Sequence, residues 1–216
     1  MEVITYIVQF FFHIDKYLNV VIQNCGVWSY AILFAIVFAE TGLVITPFLP
    51  GDSLLFAVGT FASTGAFNII WVSLVLFAAA VIGDSVNYAV GKRLGEGIFK
   101  ENGRFFKKEY LKKTHMFYEK YGGKTIVLAR FVPIVRTFAP FVAGVGKMSY
   151  GHFFSYNVIG AFLWVALFAG GGFFFGNTPF IRKNFSFAIL VIIFISILPP
   201  IIEIRKHHRN KKMAGK

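Results

Sequence analysis

Five charged residues stand inside otherwise apolar stretches of this 216-residue chain: Glu40, Asp52, Asp84, Arg130 and Arg136. A charged side chain at the centre of a lipid-spanning helix costs about 2.5–3.5 kcal/mol on insertion scales, so five facing lipid would cost over about 10 kcal/mol. They must therefore face one another, a wet cavity or a bound ligand. Two arginines suit a phosphate, because the planar guanidinium fork matches its oxygens. Two carboxylates withdrawn from water suit protons, because burial disfavours their charged form. The plainer reading is that Glu40 and Asp52 neutralise Arg130 and Arg136 as structural ion pairs. Both readings hold together if a ligand phosphate competes for the pairs.

Spacing sharpens this. Arg130 and Arg136 are six residues apart, which on an unbroken helix leaves them about 120° out of register. Pro133 between them and Pro140 after them allow the backbone to bend and the guanidinium groups to converge, with Thr137 and Gly144 as supporting positions. Glu40 and Asp52 are twelve apart, roughly 18 Å along a straight helix. A turn at Pro47, Pro50 and Gly51 would shorten that distance, and Asp52 or Ser53 would then cap the second arm. Freed N–H groups at such half-helix starts add donors for an anion. Asp84, Asn87 and Tyr88 share one helix face and read as an interhelical hydrogen-bonded contact. No metal-ligand cluster stands out, Cys25 is the only cysteine, and no cofactor is expected.

The elements that position these residues follow from composition. The chain is 56% hydrophobic and 15% charged, with 28 Phe, whereas a soluble domain carries about 25% charged residues. It reads as an all-α integral membrane protein forming one membrane domain. Residues 1–25 suggest an interfacial helix rather than a secretory signal. Spans are expected at 26–44, 68–91, 151–176 and 184–204. Segments 45–64 and 125–149 are apolar but broken by proline and glycine, and read as re-entrant hairpins. Residues 92–124 form a basic loop and 205–216 a basic tail.

Charge is distributed as topology rather than as a nucleic-acid footprint. The net charge is +12, yet residues 1–91 contain one cation, Lys16, against five acids. The other 21 Lys and Arg lie in 92–216, flanking apolar runs. Basic loops stay cytoplasmic, which puts both 92–124 and the tail inside, where they meet anionic headgroups. Counting crossings then opens the first hairpin outward and the second inward, an inverted-repeat arrangement of the kind secondary transporters use. Glu40 precedes Pro50 by ten residues, as Arg130 precedes Pro140, a weak trace of a repeat.

Three segments carry a family resemblance: AETGLVITPFLPGDSLLF (39–56), GDSVNYAVGKRLG (83–95) and HMFYEKYGGKTIVLARFVPIVRTFAPFVAG (115–144). On these the chain resembles the DedA family of bacterial membrane proteins, also labelled SNARE-associated or VTT-domain. The resemblance implies two re-entrant hairpins, dependence on the proton-motive force and lipid translocation in the bacterial cytoplasmic membrane. Members are linked to undecaprenyl phosphate recycling and to movement of phosphatidylethanolamine. Their essential acids fall on Glu40 and Asp52, and their essential arginines on Arg130 and Arg136.

The expected function is transfer of a phosphate-bearing lipid between leaflets, undecaprenyl phosphate first among candidates. Glu40 and Asp52 would couple protons, while Arg130 and Arg136 would bind the headgroup. A broader phospholipid flippase or scramblase, an ion/proton antiporter and a lipid phosphatase are the competing readings. The antiporter would need the acids but not the arginines. The phosphatase would want a nucleophile or base near the arginines, and the nearest histidine, His152, is sixteen residues beyond Arg136. The sequence leaves homo-oligomerisation open.

Overall fold

The computed structural model describes residues 24–43, 51–95, 118, 122–146, 148–179, 181 and 191. Pro47, Pro50, the span 184–204 and the tail lie wholly or almost wholly outside these residues, as do most of segments 1–25 and 92–124. Among the described residues every regular element is helical. In chain order these are α1 (Trp28–Gly42), α2 (Gly51–Ser63), α3 (Ile69–Leu94), a 3₁₀ turn (Gly122–Lys124), α4 (Thr125–Ala129), α5 (Pro133–Val145) and α6 (Tyr150–Phe175).

Length sorts the helices. α3 and α6 have 26 residues each, about 39 Å at 1.5 Å per residue, and both are long and apolar enough to cross a bilayer core of about 30 Å. α2 and α5 have 13 residues each, about 20 Å, and neither crosses alone. α3 starts where the Asn68 side chain accepts hydrogen bonds from the N–H groups of Ile70 and Trp71, at 3.0 and 3.2 Å, a standard N-cap. It stops at Gly95, whose φ of 66° few other residues adopt. The second broken segment interrupts at Arg130–Val132, just before Pro133, where a missing N–H costs nothing. Pro140, expected to bend the chain, sits inside α5 instead. There its ring nitrogen has no hydrogen to give the Arg136 carbonyl.

α3 and α6 run antiparallel: Asn157 donates to the Val81 carbonyl (3.0 Å), and Phe153 stacks on Tyr88. The short helices lie against them in a crossed pattern. α1 packs along the first half of α3, and α4 along the first half of α6. α2, in contrast, rests on α6, and α5 rests on α3. The inner ends of α1 and α2 meet at mid-height, where Gly42 approaches Gly83 and Asp52 reaches Trp164. Their outer ends lie beside the start of α3, where the Asn68 N–H donates to the Tyr30 hydroxyl. The inner ends of α4 and α5 reach the same mid-height, but their outer ends lie beside the end of α3. The two arm pairs thus open towards opposite ends of the bundle.

Glycines bring the crossed helices into backbone contact. A Cβ on Gly172 would strike the Phe56 carbonyl, and one on Gly59 would strike the Ala169 carbonyl. In the other seam, a Cβ on Gly91 would strike the Phe141 carbonyl and one on Gly144 the Tyr88 carbonyl. These contacts correspond one for one. Gly59 and Gly144, like Phe56 and Phe141, are 85 positions apart, while Gly91 and Gly172, like Tyr88 and Ala169, are 81 apart. Exchanging α2 with α5 and α3 with α6 therefore carries one seam onto the other, an approximate two-fold relation. Its register matches Leu55 to Pro140, not Pro50 to Pro140 as the spacing of the charges suggested.

Three adjacent glycines test this packing. Gly172→Ala forces a methyl into backbone and should destabilise by about 1–3 kcal/mol. A thermal melt in detergent reads this as roughly 2–4 °C per kcal/mol. Gly170→Ala and Gly171→Ala meet no atom within 4 Å and should leave the melting temperature unchanged or raise it, since alanine favours helix. Equal losses at all three positions would contradict the seam.

Candidate functional site

The arms converge on two buried ion clusters. In the first, Arg136 on α5 donates through Nη1 to Asp52 Oδ1 on α2, at 2.8 Å, and through Nη2 to Glu40 Oε1 on α1. One guanidinium thus bridges two carboxylates from the other arm pair. All three side chains are nearly out of solvent. The Gly51 N–H also donates to Glu40 Oε1, at 3.1 Å. The Gly51 N–H, the first of the described α2, is therefore satisfied by a carboxylate reaching across from α1. An N-cap was expected from Asp52 or Ser53, but both lie inside α2, and Asp52 is turned towards Arg136. Placing Glu40 against the positive end of the α2 dipole is favourable, and only glycine at position 51 leaves room for it, since a Cβ would overlap the carboxylate.

In the second cluster, Arg130, at the end of α4, donates through Nη2 to both Asp84 Oδ2 on α3 and Asn157 Oδ1 on α6. Arg130 is thus held by the two long helices, not by Glu40 or Asp52. Both guanidinium groups lie near the Trp164 ring, but the sequence spacing did not separate their partners. Asp84, Asn87 and Tyr88 likewise go three ways. Asp84 pairs with Arg130. The Asn87 amide donates to the Thr41 carbonyl (3.2 Å) and the Thr137 carbonyl (2.9 Å), joining the inner ends of α1 and α5. The Tyr88 hydroxyl donates to the Met148 carbonyl. Pro133 opens α5, the Thr137 side chain is buried, and Gly144 serves the seam.

Two members were missed in the sequence. Asn157 is a lone amide in the apolar run 151–176, and that rarity was its available signal. Trp164 is fully buried, donates its indole N–H to Asp52 Oδ1 at 2.8 Å, and has its ring 5.2 Å from the Arg136 guanidinium carbon and 5.9 Å from that of Arg130. Among many aromatic residues nothing in its spacing marked it.

Charge and hydrogen bonding leave the site incompletely balanced. Three carboxylates face two guanidinium groups, since the buried charged residues among those described are Glu40, Asp52, Asp84, Arg130 and Arg136. Arg130 Nε and Nη1 and Arg136 Nε make no hydrogen bond to the described residues, and neither does Glu40 Oε2. Arginine carries five N–H donors in a fixed plane, so both side chains keep donors for an anion. Among the described residues no group of His, Cys, Asp and Glu is arranged to hold a metal ion. A cavity of about 380 Å³ lined by Tyr118, Gly123, Val142, Ala143 and Met148 lies at the outer end of α5, away from the charges.

Residues 49–174 match the VTT domain. The chain is 54% identical to Protein DedA of Escherichia coli K12 over the whole of both chains. It is 43% identical to an uncharacterized membrane protein of Mycobacterium leprae, over 84% of this chain and 82% of that one. It is also 34% identical to the inner membrane protein YqjA of Escherichia coli K12, over 71% of this chain and 70% of that one. No solved structure matches it.

The second cluster makes a testable pair. Asp84→Ala leaves a buried guanidinium without its carboxylate, which costs about 3–5 kcal/mol. Adding Arg130→Met should recover most of that loss in a denaturation series in detergent. A double variant no more stable than Asp84→Ala would show that the pair is not what holds α4 to α3.

Proposed function

The chain belongs to the DedA family of membrane proteins and carries its VTT domain, and from that premise we propose that it moves a phosphate-bearing lipid between the leaflets of a bacterial cytoplasmic membrane, coupled to protons. The observation that carries this reading is the sharing of Arg136 between Glu40 and Asp52. A phosphate can take the paired Nη groups of Arg136 only by displacing carboxylates, and adding an anion to a buried set that already holds three acids against two bases is costly. Protonation of Glu40 or Asp52 removes that cost and frees the guanidinium. Proton uptake and headgroup binding therefore favour each other, the reciprocity that coupled transport requires.

The remaining parts fit this cycle. The unspent Arg130 and Arg136 donors face a headgroup, while the lipid tail stays in the bilayer. The arm pairs are re-entrant hairpins that open towards opposite faces, and rocking of one against the other gives alternating access to one midplane site. With the basic loop and tail cytoplasmic, the first hairpin opens outward and the second inward. Undecaprenyl phosphate is the substrate we favour, because a phosphate monoester presents three non-bridging oxygens to the arginine forks, against the two of a phosphodiester in a zwitterionic headgroup. The reaction is translocation without hydrolysis.

The test is reconstitution in liposomes with labelled polyprenyl phosphate and an imposed proton gradient. Arg136→Ala should slow translocation at least tenfold, as expected when a buried charge-assisted contact of about 1.5–3 kcal/mol is lost. Normal transport by that variant would end the proposal. Binding of the lipid should tighten as the pH falls, and Glu40→Gln should flatten that dependence. Preferential transport of phosphatidylethanolamine would shift the reading to a general flippase. Ion flux surviving loss of both arginines would shift it to an antiporter, and release of inorganic phosphate to a phosphatase.

A further inference from the structure

Trp164 touches both ion clusters, and its contacts differ in kind. Asp52 Oδ1 accepts the indole N–H and Arg136 Nη1, each at 2.8 Å. The ring meanwhile lies near both guanidinium groups, which bounds their separation at about 11 Å. An indole N–H only donates and does not titrate. That donor is therefore available to Asp52 whether or not Arg136 is. Other groups around Asp52 are charged or titratable: Glu40 from α1, Asp84 from α3, Arg130 from the end of α4 and Arg136 from α5.

We propose that Trp164 is a positioning residue for headgroup exchange: it holds Asp52 in place and docks both guanidinium groups, so that Arg136 changes partner while Asp52 does not move. The inference rests on the lipid-phosphate reading and deepens it. Phenylalanine at 164 would keep a ring for the cations but lose the donor. Asp52 would then lose one of the contacts that fix it, and the site would reset slowly. The maximal rate should suffer more than the affinity, because the headgroup's own contacts are with the arginines.

Indole emission reports this directly. Trp28 and Trp71 are 75% and 64% exposed, while Trp164 is fully buried, so the Trp28→Phe/Trp71→Phe protein carries one buried tryptophan among the arginines. Titrating it in detergent with farnesyl phosphate should give a saturable emission shift. Farnesol should give none, and Arg136→Gln should abolish the response. No shift, or an equal shift with farnesol, overturns the proposal. In liposomes, Trp164→Phe should lower the maximal translocation rate about tenfold and change the half-saturating lipid concentration less than twofold. A rate equal to that of the natural chain, at equal amounts of folded protein, also overturns it. If the natural chain moves no phosphate lipid, the transport reading fails on its own, and the emission titration still decides whether Trp164 answers to an anion on Arg136.

Discussion

One guanidinium shared by two carboxylates is the interaction on which the arrangement depends. Arg136 belongs to one arm pair and Glu40 and Asp52 to the other, so the inner ends of the two pairs are held together by charge rather than by apolar packing. In a bilayer this matters more than in water. Lipid tails are as apolar as leucine, so helices gain little by burying apolar surface against each other, whereas an unpaired charge is severely penalised. The penalty keeps the inner ends together, and it can be relieved by a proton or an anion. A contact of that kind holds in one state and releases in another. An apolar contact would not respond to either.

The scaffold lets such a contact form without strain on the long helices. α2 rests on α6 and α5 on α3, each through a pair of glycines that bring backbones together. Close backbone approach offers tight packing with no interlocking side chains. The crossing of arms between halves also means that neither half is complete alone. Asn87 adds a fixed point, since its amide binds carbonyls of α1 and α5 at once.

The two arginines therefore have unlike surroundings. Arg130 is anchored by Asp84 and Asn157, which sit on α3 and α6. Arg136 is held by Glu40 on α1 and Asp52 on α2. In the proposed rocking, Arg136 would part from partners on the other arm pair, whereas the partners of Arg130 lie on the long helices. Trp164 lies near both, on the long helix α6.

Much was legible in the residues alone. Apolar composition and the cost of intramembrane charge identified a helical membrane protein and singled out Glu40, Asp52, Arg130 and Arg136, because a charge in an apolar run is visible without coordinates. Proline and glycine marked the broken segments for the same local reason. Partners were not legible. Whether Arg130 meets Asp84 or Glu40 depends on which helices cross, and crossing is fixed by seams between residues 50 or more positions apart. Among Gly170, Gly171 and Gly172 only the last meets a neighbouring backbone, and the three are alike until α2 is laid against α6. Pro140 looked like a break, yet the chain breaks before Pro133, because neighbouring packing carries α5 through the lost hydrogen bond. Trp164 was one aromatic residue among many. Its role follows from direction and distance, which a one-dimensional pattern does not contain.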